Sequence, residues 1–263
     1  MEQYRAGIVS HLSRPRRNWQ VLDTVDSTNL YCKRLALEGA PDGTAVIAAH
    51  QTAGRGRLGR SFQSPEGQGV YLSILWRPHC APQQLMVLPA LGAVAAVRAV
   101  QRVCALGCEI KWPNDLVSGG RKVGGILAES VVLGGDMAVV LGIGINVSQR
   151  HEDFAGEVAD IAASLETVTG SAVDRAAVAA ALLEELDILR REALTAPERW
   201  LAEYRRHCLT VGRQVQVIAG KTRRCALALA VDEGYGLRVR WEDGTEETVR
   251  SGEVSVRGLY GYV

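Results

Sequence analysis

The sequence lacks an excess of charge of either sign: 30 basic side chains stand against 29 acidic ones, a formal charge of +1. No global field draws such a chain to nucleic acid or to an anionic membrane, so any anion site must be local. A long hydrophobic run is also missing. The longest, Leu85 to Val97, contains Pro89 and stops at Arg98, well short of the roughly 20 residues of a membrane span. It predicts a buried helix, with no membrane partner. The six cysteines form no C-x-x-C pair, and no histidine stands at zinc-finger spacing from Cys104 and Cys108, which points to a reduced, cytoplasmic setting. The first 18 residues carry Arg5, Arg14, Arg16 and Arg17 but no apolar stretch of a secretory signal. Repeats and low-complexity tracts are absent. What is left, 263 residues at 47% hydrophobic and 22% charged, is a folded chain with one or two packed cores.

Trp19 to Leu22 reads as a first strand. Asp26-Ser27-Thr28-Asn29 then offers capping side chains ahead of Leu30 to Leu35, predicting a helix that ends near Gly39. Thr44 to Ala49 and Val70 to Trp76 read as strands, with a glycine- and arginine-rich segment between them. Leu85, Leu88, Leu91 and Val94 recur at helical spacing and predict a core-facing helix over 82–104. Ser118-Gly119-Gly120-Arg121 and Leu133-Gly134-Gly135-Asp136 read as hairpin turns, so an antiparallel meander is expected up to Val147. Helical periodicity returns over 174–206. Beyond Val211 the period falls to two: Val215 and Val217 alternate with glutamines, and Leu237, Val239 and Trp241 with charged residues, with a turn at Asp243-Gly244. About 50 residues of short strands make a small barrel, docked on the larger unit.

Gly54-Arg55-Gly56-Arg57-Leu58-Gly59-Arg60-Ser61 satisfies G-x-G-x-x-G and nearly satisfies the phosphate-loop pattern, with Arg60 where that pattern needs lysine. Both patterns require a helix directly after the loop, and Gln63 to Gly69, with Pro65, forbids one. The kinase signatures H-R-D and D-F-G are absent. What remains is charge: Arg55, Arg57 and Arg60 lie close together, with no acid between Gln51 and Pro65. Like charges on a glycine-rich loop repel, so the segment is expected to stay mobile until an anion gathers it. Glycine lets backbone N–H groups approach that anion, and guanidinium forks fit phosphate and carboxylate oxygens.

Lys111-Trp112-Pro113-Asn114-Asp115-Leu116-Val117 leads into the Gly119-Gly120 turn, and Lys122-Val123-Gly124-Gly125-Ile126-Leu127 leads out. A two-residue turn sets Val117 opposite Lys122 and Asp115 diagonal to Lys122 on the same side. An acid and an ammonium then flank one pocket, above bare backbone at Gly124. The alternative is a Pro-Asn-Asp turn with a solvated edge lysine. Gly142 and Gly144 sit inside an otherwise apolar strand, where glycine marks either a bulge or a close approach to the backbone. Ser27 and Thr28 read equally as caps.

Taken together, these residues resemble the biotin protein ligase family. Ser27-Thr28-Asn29, Gln51 to Arg60, Lys111-Trp112-Pro113-Asn114-Asp115, Lys122 with Gly125-Ile126-Leu127, and Gly142 to Asn146 follow the family's order and spacing. The likeness runs from about residue 20 to a last strand at Gly252 to Arg257. It implies an α/β fold like the class II aminoacyl-tRNA synthetase core, with a mixed, largely antiparallel sheet, followed by an SH3-like barrel. The corresponding division is an extension over 1–18, a catalytic domain over 19–208 and a barrel over 209–263.

The resemblance implies a reaction in two halves. Biotin and ATP, with Mg²⁺, give biotinyl-adenylate, and a lysine of a biotin carrier domain, of acetyl-CoA carboxylase or a similar enzyme, then takes the biotinyl group. Ser27, Thr28, Asn29, Gln51, Gly54, Gly56 and Gly125 are implied around biotin, and Arg55, Arg57 and Lys122 at its carboxylate and the phosphate. Phe62 and Asn146 are implied at the nucleotide, Asp115 at Mg²⁺ or the incoming lysine, and Lys111 in support of the acceptor step. Phe62 stands where relatives often carry tryptophan, and Ala49 where many carry an acid, so weaker adenylate retention is expected. Relatives with an N-terminal winged helix act as repressors; 18 residues are too few for one, so no DNA binding is expected. The expected assembly is a monomer or homodimer. A lipoate ligase or transferase is disfavoured by the arginine loop, K-W-P-N-D and the terminal barrel. A non-catalytic biotin sensor is disfavoured by Arg57, Asp115 and Lys122.

Overall fold

Two periodicities divide the chain between two sheets. The computed structural model describes residues 1–78, 82–133, 136–251, 254–258 and 262; Cys80, the Gly134-Gly135 turn, Gly252 and Glu253 lie outside them. In chain order the first unit holds α1 (Glu2–His11), β1 (Trp19–Val25), α2 (Thr28–Leu37), β2 (Ala45–Gln51), β3 (Gly69–Trp76) and α3 (Leu88–Cys104). It continues with β4 (Glu109–Lys111), β5 (Asp115–Ser118), β6 (Arg121–Leu133), β7 (Asp136–Asn146), α4 (Leu165–Thr169), α5 (Arg175–Glu192) and α6 (Pro197–His207). The strands β8 (Gln214–Ala219), β9 (Thr222–Val231), β10 (Leu237–Trp241), β11 (Glu246–Val249) and β12 (Ser255–Gly258) follow.

The first sheet has the order β1-β2-β3-β7-β6-β5-β4, parallel only between β1 and β2. A strand's side chains alternate between faces, and here the alternation assigns each face a task. Ile47, Leu72, Ile74, Leu141, Ile143 and Ile126 join α3 and α5 in the main core, whereas Val46, Leu75, Val140 and Val131 pack with Cys32 and Ala36 of α2. α2 covers only one end of that second face. The other end is left for the site.

The helix foreseen over 82–104 opens with a 3-10 turn, Pro82–Val87, and becomes α-helical at Leu88. Pro89 falls in its first turn, where a missing N–H costs nothing. By length and composition alone, Gln84–Cys104 would suffice to cross a membrane, but it packs on α5, α6 and the sheet as a core helix. Residues 1–18, foreseen only as an extension, contain α1, which packs on α5 with Ile8 fully buried. A single apolar turn, Tyr4 and Ile8, amid polar residues gave too weak a period to read.

The second sheet is antiparallel, in the order β11-β10-β9-β8-β12. Its alternation matches the sequence: Val215 and Val217 are buried, as are Leu237, Val239 and Trp241. The K-W-P-N-D segment ties the two units together. Trp112 donates through its indole N–H to the Tyr235 carbonyl at 2.9 Å and through its backbone N–H to Thr210 Oγ1 at 2.9 Å, while Tyr204 donates its hydroxyl to the Pro113 carbonyl at 2.9 Å.

Candidate functional site

A cavity of about 1130 Å³ opens on the uncovered part of the first sheet. Its floor follows from register. Asp115 pairs with Gly125, Gly125 with Gly144, and Gly144 with Tyr71, so one row across four strands has two bare positions at its centre. The next row runs Leu127, Gly142, Ser73. The ladder through Gly142 to Asn146 is unbroken, so the glycines serve close approach and not a bulge. A Cβ on Gly142 would sit 2.0 Å from Asn29 Oδ1, and one on Gly144 would sit 2.5 Å from the Phe62 ring.

The hairpin corrects one expectation. Gly119 and Gly120 have φ of 57° and 74° and form the two-residue turn, with Val117 opposite Lys122. A bulge then intervenes: Leu116 pairs with Gly124 and Asp115 with Gly125, leaving buried Val123 as the extra residue. The bare backbone beside the acid is therefore Gly125, not Gly124, which faces Leu116. Lys122 Nζ donates to Asp115 Oδ1 at 2.5 Å, and Tyr262 donates its hydroxyl to Asp115 Oδ2 at 2.6 Å. Burial works against the Asp115 charge, but the ammonium of Lys122, its hydrogen bond and that of Tyr262 hold the carboxyl below the usual range. Lys111, 5% exposed, sits beneath the Tyr262 ring with Nζ 3.5 Å from its centroid. Burial, opposed by Asp115 and aided by Lys122, Arg257 and Arg60, lowers its pKa to about 8.

At the α2 end a polar chain is already wired. Gln51 Oε1 accepts from the Thr28 N–H at 2.8 Å and from Thr28 Oγ1 at 3.1 Å, and Gln51 Nε2 donates to Ser64 Oγ at 2.7 Å. Ser73 Oγ lies 2.8 Å from Thr28 Oγ1 and 2.6 Å from Asn29 Oδ1. Ser27 occupies the N-cap position of α2 without a side-chain cap bond, so the capping reading of its hydroxyl fails. It faces the cavity instead. Asn29 spends its amide on Glu129 and the Leu127 carbonyl, and so acts as floor.

The arginine loop finds its acid far away in sequence. Arg55 Nη2 lies 3.2 Å from Glu129 Oε1 on β6. Arg57 donates to Asn114 Oδ1 at 3.0 Å and to the Ser251 carbonyl, bridging K-W-P-N-D and the second sheet. Burial lowers its pKa, the nearby Asp115 charge opposing. Gly56 N–H donates to the Arg60 carbonyl at 2.7 Å, and Leu58 takes a left-handed φ of 56° to close the turn. Gly54 is the one foreseen site residue that does not line the cavity. A Cβ there would meet the Phe62 carbonyl at 2.3 Å, which makes it a packing glycine.

Phe62 lies over Gly144 and makes an edge contact with Tyr71, ring centroids 6.3 Å apart. Asn146 lines the same end but donates to the Ala163 carbonyl at 3.1 Å. Side chains not foreseen at the cavity include Tyr71, Trp112, Asn114, Arg257 and Tyr262. Trp112 and Asn114 stood inside a motif already singled out. Arg257 arrives from β12, within the last strand that the likeness covers, and Tyr262 from beyond it, where the sequence carried no signal.

Seven basic side chains (Arg55, Arg57, Arg60, Lys111, Arg121, Lys122 and Arg257) and two acidic ones (Asp115 and Asp160) line the cavity. A chain of net charge +1 thus concentrates its cations in one place, as a site for joined anions requires. Mg²⁺ does not fit as a protein-held ion. Among the described residues no three potential ligands cluster, so the ion would arrive on the phosphates.

Comparison with known proteins agrees with this geometry. Residues 21–146 match the model of the biotin/lipoate A/B protein ligase family. The chain is 34% identical to the bifunctional ligase/repressor BirA of Bacillus spizizenii over 86% of its own length and 70% of that protein's. It is 37% identical to the biotin--[acetyl-CoA-carboxylase] ligase of Mycobacterium tuberculosis, over 76% and 75% of the two chains. The biotin protein ligase of Aquifex aeolicus, solved with biotin and ATP, superposes with a TM-score of 0.78 at 30% identity, covering 92% of this chain and all of that one. The chain belongs to the biotin protein ligase branch of the biotin/lipoate A/B protein ligase family.

Proposed function

We propose that the chain is an ATP-dependent biotin protein ligase that forms biotinyl-5′-AMP and passes the biotinyl group to a lysine of a carboxylase's biotin carrier domain. The observation that carries this reading is the convergence of cations on one cavity: Arg55, Arg57, Lys111 and Lys122 line it together with Gly125. In the first half a biotin carboxylate oxygen bonds to the α-phosphorus of ATP while the bond to diphosphate breaks. Negative charge gathers where the two anions meet, and guanidinium and ammonium groups fixed there stabilise it without reorganising. Gln51 and Thr28, wired to each other, meet the polar ring of biotin, and Phe62 offers its face to the adenine.

In the second half the acceptor amine attacks the biotinyl carbonyl, AMP leaves with the bonding electrons, and the proton released by the amine passes to water. Asp115, held ionised, is the acceptor that orients the amine, with Lys111 beside it as a second cation for the departing phosphate. An SH3-like character of the second sheet, and a class II synthetase-like character of the first, belong to the same reading. β12 would then bring Arg257 to the nucleotide end.

The test is incubation of the full chain with biotin, Mg²⁺-ATP and a biotin carrier domain, followed by intact mass of the carrier, with lipoate in parallel. Addition of biotin that depends on ATP is the expected result. Tight biotin binding without transfer would favour a sensor, and lipoate transfer would move the chain to the neighbouring branch.

A further inference from the structure

We propose that Glu129 is a positioning residue: its carboxylate holds Arg55, and with it the glycine–arginine loop, over the α2 end of the cavity. The proposal rests on the ligase reading for its kinetic consequences. Glu129 lies on the site-facing side of β6, in the row after Leu127, opposite Val140. Its side chain is 13% exposed and does not line the cavity, so it reaches a substrate only through another group.

Three elements meet on this one carboxylate. Oε1 receives Lys33 at 2.7 Å and Arg55 at 3.2 Å, and Oε2 receives Asn29 Nδ2 at 2.8 Å. Asn29 in turn accepts from Ser73 and rests on Gly142. The floor of the cavity, helix α2 and the arginine loop are thereby fixed to a common point. Lys33 makes the shorter contact, from the α2 side, and Arg55 the longer one, from a loop side chain that stays partly exposed. Held this way, Arg55 pays less ordering entropy when the substrate carboxylate arrives. Burial works against its charge, but the bonds and charges of Lys33, Asn29 and Arg55 hold the Glu129 carboxyl below its usual range.

The test compares three variants in biotin-dependent exchange of diphosphate into ATP. Glu129→Gln keeps the size and an acceptor for Asn29 but removes the charge. Its biotin KM should rise about fivefold, the scale of one partly exposed ion pair, with the ATP KM unchanged. Lys33→Met strips the other cation from the same carboxylate and should leave the biotin KM at its native value. Arg55→Ala should make a further Glu129→Gln change silent. An unaltered or lowered biotin KM in Glu129→Gln would overturn the proposal, as would additive losses with Arg55→Ala or equal losses in Lys33→Met. Should Glu129→Gln fail to fold, Glu129→Asp retracts the charge by one methylene and should still raise the biotin KM; a native value would count against the tether. Tryptic cleavage after Arg55 and Arg57 without substrate should be faster in Glu129→Gln. That readout separates failure of the tether from failure of the ligase reading.

Discussion

Lys122 and Asp115 are 2.5 Å apart across β5 and β6, and the extra residue Val123 sets Asp115 opposite Gly125. Without the bulge the acid would face Gly124, whose neighbours are Leu116 and the Gly144 carbonyl. The irregularity in the ladder thus decides which glycine lies beside the pair. Lys122→Ala removes the cation from the point where carboxylate and phosphate meet. Adenylate formation should slow by about 10² to 10³, the usual cost of one charge-stabilising donor. A near-native rate of diphosphate exchange would take Lys122 off the catalytic list.

Arg57 spans two places at once, donating to Asn114 and to the carbonyl of Ser251. Arg57→Ala should loosen the closure of the cavity as well as remove a charge. The expected result is faster escape of the adenylate into solution, seen in single-turnover experiments as intermediate lost to a filter. Retention equal to that of the native chain would disprove the role.

Gly142 leaves no room for a methyl group. Gly142→Ala would place a Cβ 2.0 Å from Asn29 Oδ1, and Asn29 cannot yield without breaking its bonds to Glu129 and Ser73. Overpacking of this kind costs about 1–3 kcal/mol. A lowered Tm together with a raised biotin KM is expected, and an unchanged Tm would show that the floor can relax.

Lys111 makes stability depend on pH in a defined direction. Its folded pKa, about 8, lies below the ordinary lysine value of 10.5. Between these values the unfolded chain binds the proton and the folded chain does not, so stability rises with pH across this window. Below about pH 8 both states are protonated and the full penalty of burying the charge is present. Lys111→Met should therefore be stabilised relative to the native chain most at pH 7, with the difference shrinking by pH 10. A difference in Tm that is flat with pH would contradict the burial argument.

Local pattern made much of this molecule legible. The helix at Ser27, the strands on either side of the arginine loop, the Gly119-Gly120 turn and the alternation at Leu237, Val239 and Trp241 all follow from spacing of two or 3.6 residues. So did most of the cavity wall, since Gln51, Arg57, Lys111, Asp115 and Lys122 stood in compact motifs. What escaped was non-local. Glu129 carries no mark in the sequence, because its partners Lys33 and Arg55 belong to α2 and the arginine loop, distant in the chain. The bulge at Val123 was invisible because an extra apolar residue in an apolar strand leaves no compositional mark. Ile8 was missed because one buried side chain does not make a period.

The layer formed by Gly125, Gly142 and Gly144 is written in main chain, with Asn29 resting on Gly142 and Phe62 on Gly144, and that gives it a one-way tolerance to change. Every substitution at those three positions adds atoms, so each can make the slot shallower and none can deepen it. Attempts to admit a bulkier acid must therefore enlarge the opening from above, at Phe62 or the arginine turn. At these three positions a single nucleotide change can tighten the packing but never relax it.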